Sequence, residues 1–196
     1  MTVLFVLALF GAVLLWFAGT PPMALVVFVG SSSIADWALL QQDFSNVRTI
    51  NRGIGGSELA DSIAILKSEV IPHRPRTILI YAGENDLDVG KTPEAVYVDF
   101  KTFVAKIHAT LPETRIVFIS IKPSPSRWHI KNKIVAANAL IAEECAKDTL
   151  CRFVDVYRKM LTPEGKPNAD LFQEDMLHMN NAGYAIWKHV VGAALE

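Results

Sequence analysis

Uninterrupted apolar runs of strand length alternate along this chain with longer segments whose apolar residues recur at helical spacing. Three of the runs, residues 24–29, 77–82 and 115–120, are apolar throughout their interiors. Central strands of a parallel sheet need such runs because helices cover both faces of the sheet. Shorter runs at residues 47–51 and 152–156 predict two further strands.

Helices are predicted in the intervals between these strands. Apolar side chains at helical spacing run through residues 58–70 and end before Pro72. Pro93 opens a long helix to about residue 110, since proline is favoured in the first turn. Further helices are predicted at residues 34–42, 128–147 and 181–194, the last of them after Asn180, a good N-cap.

The alternation of strands and helices predicts an α/β fold. Short connections and right-handed crossovers favour a three-layer, doubly wound, mainly parallel five-stranded sheet. No composition change marks a boundary after about residue 22, so we predict an apolar N-terminal segment, residues 1–22, and one domain, residues 23–196. Active sites of such sheets lie at the carboxyl ends of the strands.

The N-terminal segment is predicted to direct the protein out of the cytoplasm. Residues 3–18 are all apolar or glycine, and the first charged residue is Asp36. This run is shorter than the about 20 residues that span a bilayer squarely, and no Lys or Arg precedes it. Because the segment carries no charged side chain, we nevertheless expect an exported or membrane-anchored protein on the periplasmic or extracellular side, with membrane association through residues 3–18. A buried N-terminal helix is the alternative.

Charge composition argues against a nucleic-acid partner. The 196 residues include 19 Lys and Arg against 20 Asp and Glu, for a net charge of -1, and no basic patch is visible. The two cysteines, Cys145 and Cys151, could form a disulfide across a turn or remain two buried thiols. Their spacing is wrong for a Cys-x-x-Cys redox or zinc site.

Chemically versatile residues follow the predicted strands. The segments Gly30–Ser33, Gly55–Gly56 and Gly83–Asp86 each come directly after a strand, while Asp175 and His178 precede the last helix. The Asp-x-x-His spacing lets the carboxylate accept from Nδ1 of the imidazole and leaves Nε2 free to take a proton from a serine. Together these residue types suit nucleophilic acyl transfer.

These segments resemble, in order, the four sequence blocks of the SGNH hydrolases, also called GDSL-type esterases and lipases. The resemblance covers about residues 24–195 and implies the flavodoxin-like fold of that family. It implies that Ser32 is the nucleophile, His178 the general base and Asp175 the residue that orients the imidazole.

The same resemblance implies an oxyanion hole. Its donors would be the backbone N–H groups of Ser32 and Gly56 and the side chain of Asn85. Ser31 stands where the family usually has an aspartate that is not a triad member. Because residues 31–33 are all serines, the choice of Ser32 rests on the family pattern, in which the serine is second after the glycine.

The family resemblance implies a serine esterase that needs no cofactor and no metal. Its expected substrates are carboxylic esters, short acyl or acetyl esters above all, carried on a small molecule, lipid or sugar. An acyltransferase, a thioesterase or a lysophospholipase on the same site is the alternative, followed by a non-catalytic binding module. The oligomeric state is left open.

Other site classes fit the sequence less well. Gly90-Lys91-Thr92 ends like a phosphate-binding loop, but the required glycine five residues before Gly90 is Asn85. A dinucleotide fingerprint from Gly53 fails because its third glycine would fall at Glu58. None of the histidines has the His-Glu-x-x-His spacing of a metal hydrolase.

Substrate contacts are predicted by position alone. The loop of residues 122–128 follows the fourth strand, and its Arg127 and Trp128 could select a sugar or an anionic ester, or simply pack. Possible acyl-pocket residues are Trp37, Leu87 and Met176.

Overall fold

The computed structural model describes residues 23–195. The predicted N-terminal segment therefore lies outside the described residues, and its export or anchoring role stays a prediction, as does the single domain. Within residues 23–195, no helix is both long and apolar enough to cross a membrane.

Five parallel strands form one sheet in the order β2-β1-β3-β4-β5. They are β1 (Leu25–Gly30), β2 (Arg48–Gly53), β3 (Thr77–Tyr81), β4 (Arg115–Ile119) and β5 (Cys151–Val154). The α-helices are α1 (Ser32–Ala35), α2 (Leu40–Asp43), α3 (Leu59–Ala64), α4 (Glu84–Asp88), α5 (Pro93–His108), α6 (Lys131–Cys145) and α7 (Asn181–Leu195). The predicted α/β, doubly wound five-stranded sheet is confirmed.

Each face of the sheet carries its own apolar core, which explains the uninterrupted apolar strands. Val27 and Val29 of β1 point into the core shared with α3, α5 and α6. Val26 and Phe28 of the same strand point into the opposite core, shared with α1, α2 and α7. Because successive strand residues face opposite sides, only a strand that is apolar at every position can fill both cores.

Three predicted helices are broken where tertiary packing overrides local propensity. The predicted helix 34–42 is two short helices, because the buried Trp37 between them packs against Phe28 and Phe44. A π-helical turn, Leu66–Val70, follows α3 in the predicted helix 58–70, and a 3-10 turn, Pro125–Ile130, precedes α6.

Cys145 and Cys151 form a disulfide in the structure. They lie at the end of α6 and the start of β5, with their Cα atoms 4.7 Å apart. That separation lies within the usual range for a disulfide. The pair joins the last long helix of one layer to the edge strand of the sheet.

Candidate functional site

Gly30, at a position with no room for a side chain, places Ser32 at the carboxyl edge of the sheet. Gly30, the last residue of β1, has φ +139°, and a Cβ there would lie 1.9 Å from the carbonyl oxygen of Tyr81 in β3. The chain can then turn at once, and the Ser31 N–H donates to that same oxygen at 3.1 Å. Ser32 follows as the first residue of α1.

The structure brings Ser32, His178 and Asp175 into one chain of contacts. The Oγ of Ser32 lies 3.2 Å from Nε2 of His178, although the two residues are 146 positions apart. On the other side of the ring, Nδ1 of His178 lies 2.5 Å from Oδ2 of Asp175. The three side chains are therefore in the order that proton transfer from the serine to the imidazole requires.

The Asp175 carboxylate is held in its ionised form. Hydrogen bonding from His178, with further backbone N–H groups, lowers the pKa of Asp175 to about 2. Its Oδ1 accepts from the N–H groups of Leu177 and His178, each at 2.9 Å. An ionised carboxylate can only accept, so Nδ1 of the imidazole carries the hydrogen and the lone pair of Nε2 faces Ser32.

Backbone geometry fixes the turn of residues 175–178. Met176, between the aspartate and the histidine, has φ +57°, a left-handed conformation that is uncommon outside glycine. Its N–H donates to the Gln173 carbonyl at 2.9 Å, and the Gln173 N–H donates to the His178 carbonyl at 2.8 Å. The turn therefore has little freedom to separate Asp175 from His178.

The three glycine-containing segments meet beside Ser32 through a chain of hydrogen bonds. The Ser57 hydroxyl donates to the Gly30 carbonyl at 3.2 Å, and the Asn85 side-chain nitrogen donates to the Ser57 carbonyl at 2.8 Å. Gly56, with φ +73°, has nothing within 4 Å of the place where a Cβ would sit. Its backbone is therefore open to a ligand.

Asp86 holds the second and third segments together. It is fully buried, and both its carboxylate oxygens accept from the Leu59 N–H at the start of α3, at 3.2 and 3.1 Å. Lys91 donates to the same carboxylate at 2.9 Å and also pairs with Glu58 and Asp99. These carboxylates occupy the ammonium group that a phosphate-binding loop would leave free for phosphate.

A buried charged cluster, which the sequence did not predict, lies beneath the site. Glu84 pairs with Lys122 and accepts from the Ser124 hydroxyl, and the Tyr81 hydroxyl donates to it at 2.6 Å. Lys122 is 1% exposed and Glu84 3% exposed. Burial alone would raise the pKa of Glu84, but the nearby Lys122 and these hydrogen bonds hold it below its usual value. The available signal was a lysine only two residues after the predicted strand 115–120.

Replacing Lys122 alone should destabilise the fold strongly. In Lys122→Met the buried Glu84 loses its counter-charge, and we expect the free energy of unfolding in urea to fall by about 3–5 kcal/mol. The double variant Glu84→Gln/Lys122→Met should recover a large part of this loss, because no uncompensated charge remains. A single variant within 1 kcal/mol of the unmodified protein would contradict this account of the cluster.

Of the side chains proposed to contact substrate, two belong to the core. Leu87 is 0% exposed, so the prediction that it lines an acyl pocket is wrong. Trp37 is 2% exposed but lines a cavity with Tyr184 and Lys188, and its contact with substrate stays a prediction. Met176 is exposed within the turn of residues 175–178. Arg127 lies at the site, where its Nη1 donates to Oδ1 of Asn85 at 2.8 Å.

The fold and the arrangement of serine, histidine and aspartate are typical of serine hydrolases. The family model of the GDSL-like Lipase/Acylhydrolase family matches residues 19–186, and the chain belongs to that family. It is thus an enzyme, a hydrolase that acts on esters. No curated protein matches the chain.

Several solved structures share this fold. A GDSL-like lipase from Bacteroides thetaiotaomicron is 24% identical, with coverage of 88% of this chain and 87% of that one and a TM-score of 0.72. A candidate acylhydrolase from Bacteroides fragilis is 23% identical, with 89% of each chain covered and a TM-score of 0.76. The lipase/acylhydrolase from Enterococcus faecalis is 22% identical, with coverage of 88% of this chain and 95% of that one and a TM-score of 0.69. At these identities the likeness concerns the fold alone.

Proposed function

We propose that this chain is a serine esterase that cleaves carboxylic esters, short acyl or acetyl esters in particular, through an acyl-enzyme on Ser32. The observation that carries the proposal is the unbroken contact from Ser32 Oγ through His178 to Asp175. A serine hydroxyl is a weak nucleophile, and a hydrogen-bonded base oriented by a third group is what activates it.

Catalysis proceeds in two steps, acylation and deacylation of Ser32. Nε2 of His178 takes the hydroxyl proton of Ser32 while Oγ attacks the ester carbonyl, and the resulting tetrahedral intermediate expels the alcohol, which receives that proton. Water then loses a proton to His178, attacks the acyl-serine and releases the carboxylic acid, and the proton returns to Ser32. Asp175 remains ionised and stabilises the imidazolium in both steps.

Three donors are proposed to stabilise the oxyanion: the N–H groups of Ser32 and Gly56 and the amide side chain of Asn85. Ser32 lies in the first turn of α1, where backbone N–H groups have no partner within the helix. Gly56 is exposed, and nothing lies within 4 Å of the place where its Cβ would sit. Asn85 has two amide hydrogens, and only one is needed for its bond to Ser57.

Ester turnover and covalent labelling test this proposal together. We expect p-nitrophenyl acetate and butyrate to be hydrolysed and longer acyl chains less readily. A fluorophosphonate should inactivate the enzyme with one label per chain, located on Ser32 by peptide mass spectrometry. Hydrolysis that persists after complete labelling, or a label on Ser33, would overturn the assignment of the nucleophile.

The Asp175 carboxylate should stay ionised while the enzyme works. Hydrogen bonding from His178 lowers the pKa of Asp175 to about 2, so this group should add no step to the profile of kcat/KM between about pH 4 and pH 8. A step in that range that disappears in Asp175→Asn would contradict this account.

A further inference from the structure

We infer that Arg127 is a positioning residue that orients the Asn85 amide so that the N–H not bonded to Ser57 faces the reacting carbonyl. This inference rests on the proposed function, because it concerns one of the three oxyanion donors. It assigns the Arg127 guanidinium to the hydrolytic machinery rather than to recognition of a sugar or an anionic ester.

Two contacts of Asn85 agree on one orientation of its amide. Nη1 of Arg127 lies 2.8 Å from Oδ1 of Asn85, and Nδ2 of Asn85 lies 2.8 Å from the Ser57 carbonyl oxygen. A guanidinium can only donate and a carbonyl oxygen can only accept. Rotating the amide by half a turn would place donor against donor and acceptor against acceptor, so the two neighbours together exclude the reversed orientation.

Arg127 also strengthens the donor that it orients. A positive charge at Oδ1 polarises the amide, and charge-assisted hydrogen bonds are about twice as strong as neutral ones. The Arg127 side chain is 15% exposed, so solvent screens it only in part. Negative charge that develops on the substrate oxygen would therefore meet an Asn85 N–H already polarised toward it.

The guanidinium has two partners within the protein, and both lie on one helix. Besides Asn85, it pairs with the Asp88 carboxylate, with Nη2 and Oδ2 3.3 Å apart. Asn85 and Asp88 both belong to α4, so Arg127 contacts the helix that carries the proposed oxyanion donor at two positions.

Hydrogen bonds hold the loop that carries Arg127 to two other parts of the site. The Ser126 N–H donates to the Met176 carbonyl at 3.0 Å, within the turn that holds Asp175 and His178. On the other side, the Ser124 hydroxyl donates to Glu84, the residue directly before Asn85. Arg127 therefore has a fixed anchor from which to orient the amide.

A double-mutant cycle with Asn85 tests this role. We expect Asn85→Ala to lower kcat about 10²–10³-fold, the usual loss for one oxyanion donor. Arg127→Ala should lower kcat about 10–100-fold with KM for p-nitrophenyl acetate changed less than about twofold, because it disturbs only that donor. The double variant should be no slower than Asn85→Ala, since the two residues act through one amide.

Two further variants separate positioning from folding and charge. Arg127→Lys keeps the charge but cannot bridge Asn85 and Asp88 with a planar fork, so it should recover only part of kcat. Added guanidinium chloride at millimolar concentration should raise kcat of Arg127→Ala. Arg158→Ala, which removes an exposed arginine paired with Asp155, should leave kcat and KM unchanged and serves as the control.

The possible failures are distinguishable. If Asn85→Ala and Arg127→Ala multiply in the double variant, or if Arg127→Ala raises KM with kcat unchanged, Arg127 does not act through Asn85. If the Asn85→Ala variant itself keeps full kcat, the proposed oxyanion hole fails. Should Arg127→Ala not fold, Arg127→Lys and its cycle with Asn85→Ala decide the question.

Discussion

Ser32→Ala should lower kcat for p-nitrophenyl acetate roughly 10⁶-fold and leave the fold unchanged. The substitution removes the only oxygen that contacts Nε2 of His178 among the described residues, so no acyl-enzyme can form. Residual turnover would come from the oxyanion donors acting on water. Steady-state kinetics measures the loss, and thermal unfolding checks that the variant keeps the stability of the unmodified protein.

Ser33→Ala is the matched control, because it removes the same atom one position along. The Ser33 side chain is 2% exposed, and its hydroxyl has no hydrogen-bond partner within the structure that is described. Its loss should change the free energy of unfolding by less than about 1 kcal/mol and kcat by less than about twofold. If Ser33→Ala abolished turnover while Ser32→Ala kept it, the nucleophile would be Ser33.

Asp175→Asn should lower kcat about 10⁴-fold with little change in KM. An asparagine can keep the two backbone N–H bonds through its oxygen, so the turn survives. Its amide, however, donates to Nδ1 of His178 and places the hydrogen on Nε2, the wrong tautomer for accepting the Ser32 proton. Stopped-flow or steady-state measurement of p-nitrophenol release gives the loss directly.

The same substitution should change how stability depends on acid. The pKa of Asp175 is lowered to about 2 in the folded protein, below its ordinary value of 3.8. Its ionised form therefore stabilises the fold fully above about pH 4, and that contribution is lost as the pH falls toward 2. Asp175→Asn should lack this part of the acid dependence.

Glu174→Gln provides the control for both effects, since it neutralises an exposed carboxylate next to Asp175. We expect it to leave kcat within about twofold, because a solvated neighbouring charge has little influence on the imidazole. If Glu174→Gln and Asp175→Asn reduced kcat equally, the effect would be one of net charge, and the proposed role of Asp175 would be wrong.

Periodicity was sufficient for the sheet but insufficient for the short helices. The three central strands, β1, β3 and β4, follow from their apolar interiors, because strands covered on both faces are apolar at nearly every position. The break at Trp37 could not be predicted in the same way. It depends on the fit of one indole against Phe28 and Phe44, residues brought together by the folded chain.

The site likewise has residues that the sequence indicated and contacts that only the structure revealed. Ser32, Gly56, Asn85, Asp175 and His178 could be chosen from the sequence, because each lies in a short motif of the family that the chain resembles. The partners of Arg127 and Lys122 could not, since nothing local pairs Arg127 with Asn85 or Lys122 with Glu84. In the sequence, Arg127 was compatible equally with substrate recognition and with packing.

The sequence alone therefore determined the fold class and the residues placed at the edge of the sheet, because both depend on local patterns and on the rule that parallel strands end together. Only the tertiary structure decided which side chains support them. Distances of 2.8 Å between Arg127 and Asn85, and of 3.2 Å between His178 and Ser32, arise from loops whose paths are set by packing and hydrogen bonds across the whole domain. Local periodicity carries no information about contacts between residues so far apart in the chain.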